Sequence, residues 1–308
     1  MTKVYIDGAV GTTGLRIRER LSSRSDVELL IIPEEYRKDI NYRKEYVNRS
    51  DVTFLCLPDS ASIEAVKLAE DSVKIIDAST AHRTNPNWAY GFPELGKDFY
   101  DKIKNGNRIA NPGCHASGFI ALIYPLIKSG VLDKDTYLTC TSLTGYSGGG
   151  KKMIADYEDA NRDELLDAPR VYGLNQSHKH LPEMCYVTGL KRAPSFTPIV
   201  GDYYSGMQVI VPIELNMLKG IDSLKSLQEL YKDFYNDKKL VRAVDFNESF
   251  ISTKLLSGKD VMEVTVCGND ERVNLISLFD NLGKGASGAA IQNFNIISGV
   301  DETKGLEL

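Results

Sequence analysis

Along residues 3–77, short apolar runs alternate with segments whose apolar residues fall at helical spacing, and this alternation constrains the fold more than any other feature. Residues 3–6 read as a strand, Asp7-Gly-Ala-Val-Gly-Thr-Thr-Gly14 as a glycine turn and 15–21 as an amphipathic helix. Further strands are predicted over 28–32, 51–57 and 73–77, with a helix over 60–69. Strands separated by helices are joined by right-handed crossovers, so the sheet is expected to be parallel and doubly wound. Beyond residue 114 the rhythm changes. Residues 136–143, 208–215, 250–256, 261–267 and 272–279 read as longer strands, several rich in β-branched residues, with few helices between them. Such runs favour a mixed or antiparallel sheet, with 224–235 an amphipathic helix across one face. The small residues at 283–290 lead into a helical pattern over 291–299 that can return to the first domain. A chain of 308 residues exceeds the size at which one core usually stops growing, so two domains are expected: 1–113 with 283–308, and an α+β domain over 114–282.

Composition removes several classes of function. A formal charge of −5 without basic runs gives no footprint for a phosphate backbone, so no nucleic-acid partner is expected. The longest apolar stretch, 118–127, is too short to span a bilayer, and the N-terminus reads as a strand rather than a signal peptide, so the expectation is a cytoplasmic protein with no membrane partner. Five cysteines at irregular spacings suit neither a disulfide framework nor a zinc site. Cys56, Cys140 and Cys267 lie in apolar runs and read as buried, inert thiols.

Cys114 stands in different surroundings. It follows Asn111-Pro-Gly and opens the apolar helix 119–126, where unpaired N–H groups and the helix dipole stabilise a thiolate. That is the setting of a nucleophile. Gly8, Gly11 and Gly14 form a G-x-x-G-x-x-G turn between a strand and a helix, a shifted dinucleotide fingerprint in which glycine lets the backbone approach a pyrophosphate. The choice of dinucleotide stays open, because Glu34 and Glu35 after the second strand suit ribose hydroxyls while Arg37 and Lys38 suit a 2′-phosphate. Tyr146-Ser-Gly-Gly-Gly-Lys-Lys152 combines pliable backbone with two ammonium groups and suits a small anion. His178-Lys-His-Leu-Pro-Glu-Met184 holds two of the four histidines, suited to moving protons near neutral pH. Their spacing also suits a metal pair, but no third ligand cluster is present and no metal is expected.

Together these motifs resemble the shorter type of N-acetyl-γ-glutamyl-phosphate reductase of arginine biosynthesis. The resemblance rests on the glycine turn, Asn-Pro-Gly-Cys at 111–114, Ser-Gly-Gly-Gly-Lys at 147–151, His-Lys-His-Leu-Pro-Glu at 178–183 and Asp-Asn-Leu-Gly-Lys-Gly-Ala at 280–286. It implies a Rossmann-type nucleotide-binding domain followed by a mixed-sheet catalytic and dimerisation domain, in the manner of semialdehyde and glyceraldehyde-phosphate dehydrogenases. It further implies NADP as cofactor, a small acyl phosphate and inorganic phosphate as partners, and a homo-oligomer, dimer or tetramer. Carried over by residue, Cys114 is the nucleophile and His180, with His178 as rival, the acid/base. Gly8, Gly11, Thr12, Thr13, Gly14, Ser79, Ser147, Gly148 and Asn281 would hold the cofactor, and Arg83, Asn111, Lys151 and Glu183 the substrate. His115, where many relatives have another aromatic residue, is left without a role. The implied chemistry is thiolate attack on the acyl phosphate, loss of phosphate, and reduction of the resulting thioester to an aldehyde. Aspartate-semialdehyde dehydrogenase or another acyl-phosphate reductase is the nearest alternative, and a non-catalytic nucleotide sensor on the same fold is a remote one.

Overall fold

The computed structural model describes residues 1–308 and separates into two units, Met1–Pro112 with Ala286–Leu306, and Gly113–Gly285 with Glu307–Leu308. In the first unit the chain runs β1 (Thr2–Asp7), α1 (Thr12–Ser22), β2 (Val27–Leu30), α2 (Ile40–Arg49), β3 (Val52–Leu55), α3 (Asp59–Val66), β4 (Lys74–Asp77), β5 (Ala89–Tyr90), α4 (Lys97–Asn105) and β6 (Arg108–Ala110). The six strands form one sheet in the order β2-β1-β3-β4-β6-β5, every pair parallel. β3 is buried at all four positions, as expected of a central strand covered on both faces. This is the doubly wound architecture that the alternation predicts.

The second unit begins with α5 (Cys114–Lys128) and continues through β7 (Thr139–Gly145), α6 (Gly150–Glu158), β8 (Arg170–Val171), α7 (Leu181–Thr188), β9 (Ser195–Gly201), β10 (Met207–Glu214), α8 (Leu224–Phe234), β11 (Val241–Ala243), β12 (Met262–Gly268) and β13 (Arg272–Phe279). Its seven strands lie in the order β11-β12-β13-β10-β7-β9-β8. The β11–β12 and β7–β9 pairs are parallel and the others antiparallel, giving the expected mixed sheet. α5 lies against this sheet through Gly118, where a Cβ would come within 2.4 Å of Val209 Cγ2 and 2.7 Å of Ser277 Oγ. Pro125 sits inside the helix and supplies no N–H to the carbonyl four residues back. Tyr235, just after α8, supplies the missing donor to Ala121 O at 2.7 Å, and Tyr231 on α8 donates to the neighbouring Leu122 O. The helix that carries Cys114 is thereby anchored on two sides.

The last helix, α9 (Gly288–Ile297), belongs to the first unit and is buried along its whole length. Its Ala290, Ile291, Phe294 and Ile297 share a core with Val4, Ile17, Phe54 and Ile109.

The second unit departs from the expected strands at 250–256 and at β9. Residues 250–256, predicted as a strand, are irregular over 250–252 and enter consecutive turns from 253. There Ser252 Oγ accepts from Lys254 N and Ser252 O accepts from Leu255 N, so the backbone is satisfied locally, and Phe250 is 90% exposed with no sheet face to bury it. β9 was not anticipated, because Pro198 lies inside it and proline lacks a ladder donor. The structure tolerates it because the neighbouring β8 pairs only with Ile199 and Val200.

Candidate active site

Cys114 is the first residue of α5 and half-buried. Its N-cap, Gly113, has no side chain to cap the helix, and the Gly113 N–H instead donates to Glu183 Oε1 at 2.8 Å. Glu183 itself is 1% exposed on α7, so this carboxylate ties the turn before Cys114 to the helix that His180 caps. The backbone approaches closely from a second direction, since a Cβ on Gly285 would lie 3.0 Å from Cys114 Cβ. The positive end of a fifteen-residue helix therefore meets the thiol with backbone on either side. None of the five cysteines is in a disulfide. Burial pushes the Cys56 thiol up to about 12 and raises those of Cys140 and Cys185, which makes them poor nucleophiles. Cys267 is half-buried rather than enclosed, because β12 reaches solvent at its end.

Three histidines gather beside this thiol. Ring centroids of His115 and His178 are 5.4 Å apart, of His115 and His180 5.5 Å, and of His178 and His180 4.7 Å, with Phe196 packed against His115 and His178. His180 is 5% exposed and caps the start of α7, while His178 is half-buried and its Nδ1 accepts from His180 N at 3.2 Å. Burial, and secondarily Lys179, holds the His178 imidazole below its ordinary range. Tyr172 completes the group. Its phenol is raised well above the usual tyrosine range by burial and by the charge of an ionised Cys114, so its hydroxyl lies within electrostatic reach of that sulfur. Tyr172 and Ser142 carry no local signal in the sequence, the one being a tyrosine beside a short edge strand and the other a serine inside a strand.

The other residues assigned to this unit take varied positions. Asn281 and Ser147, expected at the cofactor, are 2% and 1% exposed and bonded to each other through Asn281 Nδ2 and Ser147 Oγ at 3.0 Å. Asn281 Oδ1 also accepts from Gly206 N at 3.0 Å, so this pair braces the glycine loop. Gly148 is exposed beside it, and Lys151 is exposed in the first turn of α6, where its ammonium is available to an anion.

In the first unit the glycine turn makes a cradle. Gly8 has φ +86°, and a Cβ there would fall 2.3 Å from Cys56 O; on Gly14 it would fall 2.5 Å from Gly8 O. Only glycine permits this crossing of the β1 turn over the end of β3. Gly11 caps α1 without a side chain, Thr13 follows in the first turn, and Thr12 Oγ1 is buried with no hydrogen-bond partner. A polar atom and a helix N-terminus facing a glycine turn fit a pyrophosphate. Beside the turn, Asp7, Gly8, Arg18, Pro33, Arg37 and Lys38 line a cavity of about 540 Å³. Arg37 is paired to Glu34 at 2.9 Å, and Asp7 to Arg43 at 2.8 Å. Arg18, on α1, is a cation that the sequence reading missed, because a 3.6-residue period places it on an outer face without revealing what lies beside it. Glu35 is not among the lining residues.

Three further residues of this unit are engaged within it. Ser79 Oγ donates to Asp77 Oδ2 at 2.7 Å, completing a carboxylate that also accepts from Ser62 and contacts His82. Arg83, expected to meet substrate anions, is 7% exposed and donates to Asn111 O and Ala78 O, each at 2.9 Å. Asn111 in turn donates to Ala286 O at 3.0 Å and accepts from Asn293 at 3.1 Å.

Comparison with known proteins follows the same division. Residues 3–103 match the semialdehyde dehydrogenase NAD-binding domain, and residues 114–281 the semialdehyde dehydrogenase dimerisation domain. No helix is long and apolar enough to cross a membrane. Among solved structures, aspartate semialdehyde dehydrogenase II of Vibrio cholerae superposes with a TM-score of 0.72 at 17% identity, covering 97% of this chain and 98% of that one. The aspartate semialdehyde dehydrogenase of Candida albicans, solved with NADP, gives 0.67 at 15% identity, covering 97% and 99%. At such identities the likeness establishes the fold. N-acetyl-γ-glutamyl-phosphate reductases of Brucella ovis and Brucella canis are each 45% identical over 306 residues, covering 96% of this chain and 99% of theirs. With near-complete coverage at that identity and both domain models matched in order, the chain belongs to the N-acetyl-γ-glutamyl-phosphate reductase family.

Proposed function

We propose that this protein reduces N-acetyl-γ-glutamyl phosphate to N-acetylglutamate 5-semialdehyde, with NADPH as the reductant, in arginine biosynthesis. The observation that carries the reading is Cys114 at the N-terminus of α5, beside a cluster of histidines with Tyr172, in a chain 45% identical to reductases of that name. The Cys114 thiolate attacks the acyl carbon, the bond from that carbon to the phosphate oxygen breaks, and inorganic phosphate leaves with its electron pair, giving a thioester. A bound NADPH supplies the hydride. His180, or His178 as the alternative, gives a proton to the oxyanion that forms and takes it back as the aldehyde is released and the thiolate restored. Lys151 and the glycine loop before α6 suit the departing phosphate, and Glu183 supports the site by holding Gly113. In the first unit Gly8, Gly11, Thr12, Thr13 and Gly14 would hold the pyrophosphate, and Arg18 with Lys38 the 2′-phosphate. Residues 114–281 would also carry the subunit contact of a dimer or tetramer.

The test is a steady-state assay with N-acetyl-γ-glutamyl phosphate and with aspartyl phosphate, alongside the two semialdehydes run in reverse with phosphate. Turnover confined to the acetylated substrate is expected, and preference for the aspartyl compound would reassign the enzyme. Cys114→Ser should abolish turnover and leave NADPH binding intact, since an alkoxide is much harder to form and its ester is a poorer hydride acceptor. Activity within about tenfold of the parent, a span of ~1.4 kcal/mol, would rule out covalent catalysis through this residue.

A further inference from the structure

His115 follows the nucleophile directly, is 3% exposed, and makes two hydrogen bonds: Nδ1 with Ser142 Oγ at 2.7 Å and Nε2 with Tyr172 Oη at 2.5 Å. Burial pushes its imidazole down to about 3, so the ring is neutral near pH 7 and carries one N–H. Which nitrogen carries it follows from the partners. Ser142 is 0% exposed on β7 and His115 is its hydrogen-bond partner, so its hydroxyl proton is satisfied only by donation to Nδ1. The imidazole proton then sits on Nε2 and is donated to the Tyr172 oxygen. The phenol keeps its own proton for a different acceptor. The opposite tautomer would strand the Ser142 proton in the core and turn the Tyr172 hydroxyl toward His115.

We infer that Ser142, His115 and Tyr172 form a one-way hydrogen-bond chain that leaves the Tyr172 O–H free to donate to Cys114 Sγ, and that His115 is a positioning residue of the reaction acting through Tyr172. The inference rests on Cys114 as the nucleophile. The titratable groups packed around His115 are Tyr172, His178 and His180, with the Glu183 carboxylate on the backbone at Gly113. A donor aimed at sulfur stabilises the thiolate before attack and again when the thiol departs from the reduced intermediate.

The experiment measures the pH dependence of Cys114 alkylation by iodoacetamide, which reads the thiol whether or not an acyl phosphate is the substrate. Failure of the chain is thereby separated from failure of the proposed reaction. His115→Phe and Ser142→Ala should each raise the apparent thiol pKa, by on the order of one unit for the loss of one directed hydrogen bond. His115→Gln, whose amide can accept from Ser142 and donate to Tyr172, should stay near the parent. In a Tyr172→Phe background, already raised, adding His115→Phe should change nothing further. An additional shift of similar size in that background would overturn the inference, because His115 would then act on Cys114 without Tyr172. So would a Ser142→Ala variant, folded as judged by its melting curve, with a parental alkylation profile. His115→Gln behaving like His115→Phe would equally rule out the chain.

Discussion

Glu183 offers the sharpest separation between a residue that builds the nucleophile's turn and one that only lines a pocket. Its carboxylate is 1% exposed and accepts the Gly113 N–H at 2.8 Å, one residue before Cys114. Glu183→Ala removes the acceptor and leaves a small void, and a stranded buried N–H together with an incompletely closed cavity costs on the order of 3 kcal/mol. For a unit of this size that lowers the melting temperature by roughly 6–12 °C, taking about 2–4 °C per kcal/mol. Glu183→Gln keeps the shape and an amide oxygen but replaces a charge-assisted bond with a neutral one about half as strong, so roughly 2–4 °C is expected. Calorimetry gives both values, and steady-state kinetics on the same samples should show kcat falling in the same order as the thiol's backbone loses its tether. If both variants melted within about 1 °C of the parent while KM alone rose, Glu183 would be a substrate contact and the tether argument would be wrong.

His180→Asn should cut kcat by about 10²–10⁴ and remove one limb of the pH–rate profile, with His178→Asn the milder change; the reverse order would exchange their roles. Arg18→Ala and Lys38→Ala should each weaken NADPH binding roughly 10–100-fold, for the loss of one charge-assisted bond to phosphate, and leave NADH nearly unaffected; equal losses in fluorescence titrations with the two cofactors would contradict their assignment to the 2′-phosphate. His115 links stability to pH. Its imidazole is held near 3 in the folded protein against an ordinary value of about 6.5, so below the latter the unfolded chain binds a proton that the folded chain refuses. Its contribution to stability is intact above about pH 6.5 and declines by up to ~1.4 kcal/mol per unit as pH falls toward 3. Urea melts from pH 7 to 4.5 should show a shallower acid slope for His115→Phe than for the parent, and identical slopes would show that the ring is not buried in neutral form.

How much of this was legible in the sequence depends on the range over which each residue's cause acts. Periodicity is local, so the alternation over 3–77 predicts a parallel sheet, and the β-branched runs after 114 predict a mixed one; both are present. Gly8 and Gly14 are legible because a strand-to-helix turn demands residues without a Cβ within a few positions. Cys114 is legible because the preceding Pro-Gly and following apolar run announce a helix start. The segment 250–256 was misread for the same local reason: four apolar residues among seven look like a strand until one asks which face covers Phe250.

Other features were decided by the tertiary structure. Arg83, Asn111, Ser147 and Asn281 read from sequence as polar residues awaiting ligands, yet their hydrogen bonds run to partners such as Asn111 O, Ala286 O, Ser147 Oγ and Gly206 N. Burial forces that outcome, since a polar atom withdrawn from water must find a partner in the protein, and most of these partners lie tens of residues away in the chain. The same requirement fixes the His115 proton: Ser142 and Tyr172 are 27 and 57 residues from it in sequence and 2.7 and 2.5 Å from it in space. Residue types and spacing determined that this chain sets a cysteine at a helix start and a glycine turn between a strand and a helix. The direction in which each buried proton points was set only when folding enclosed the groups and left each one a small choice of partner.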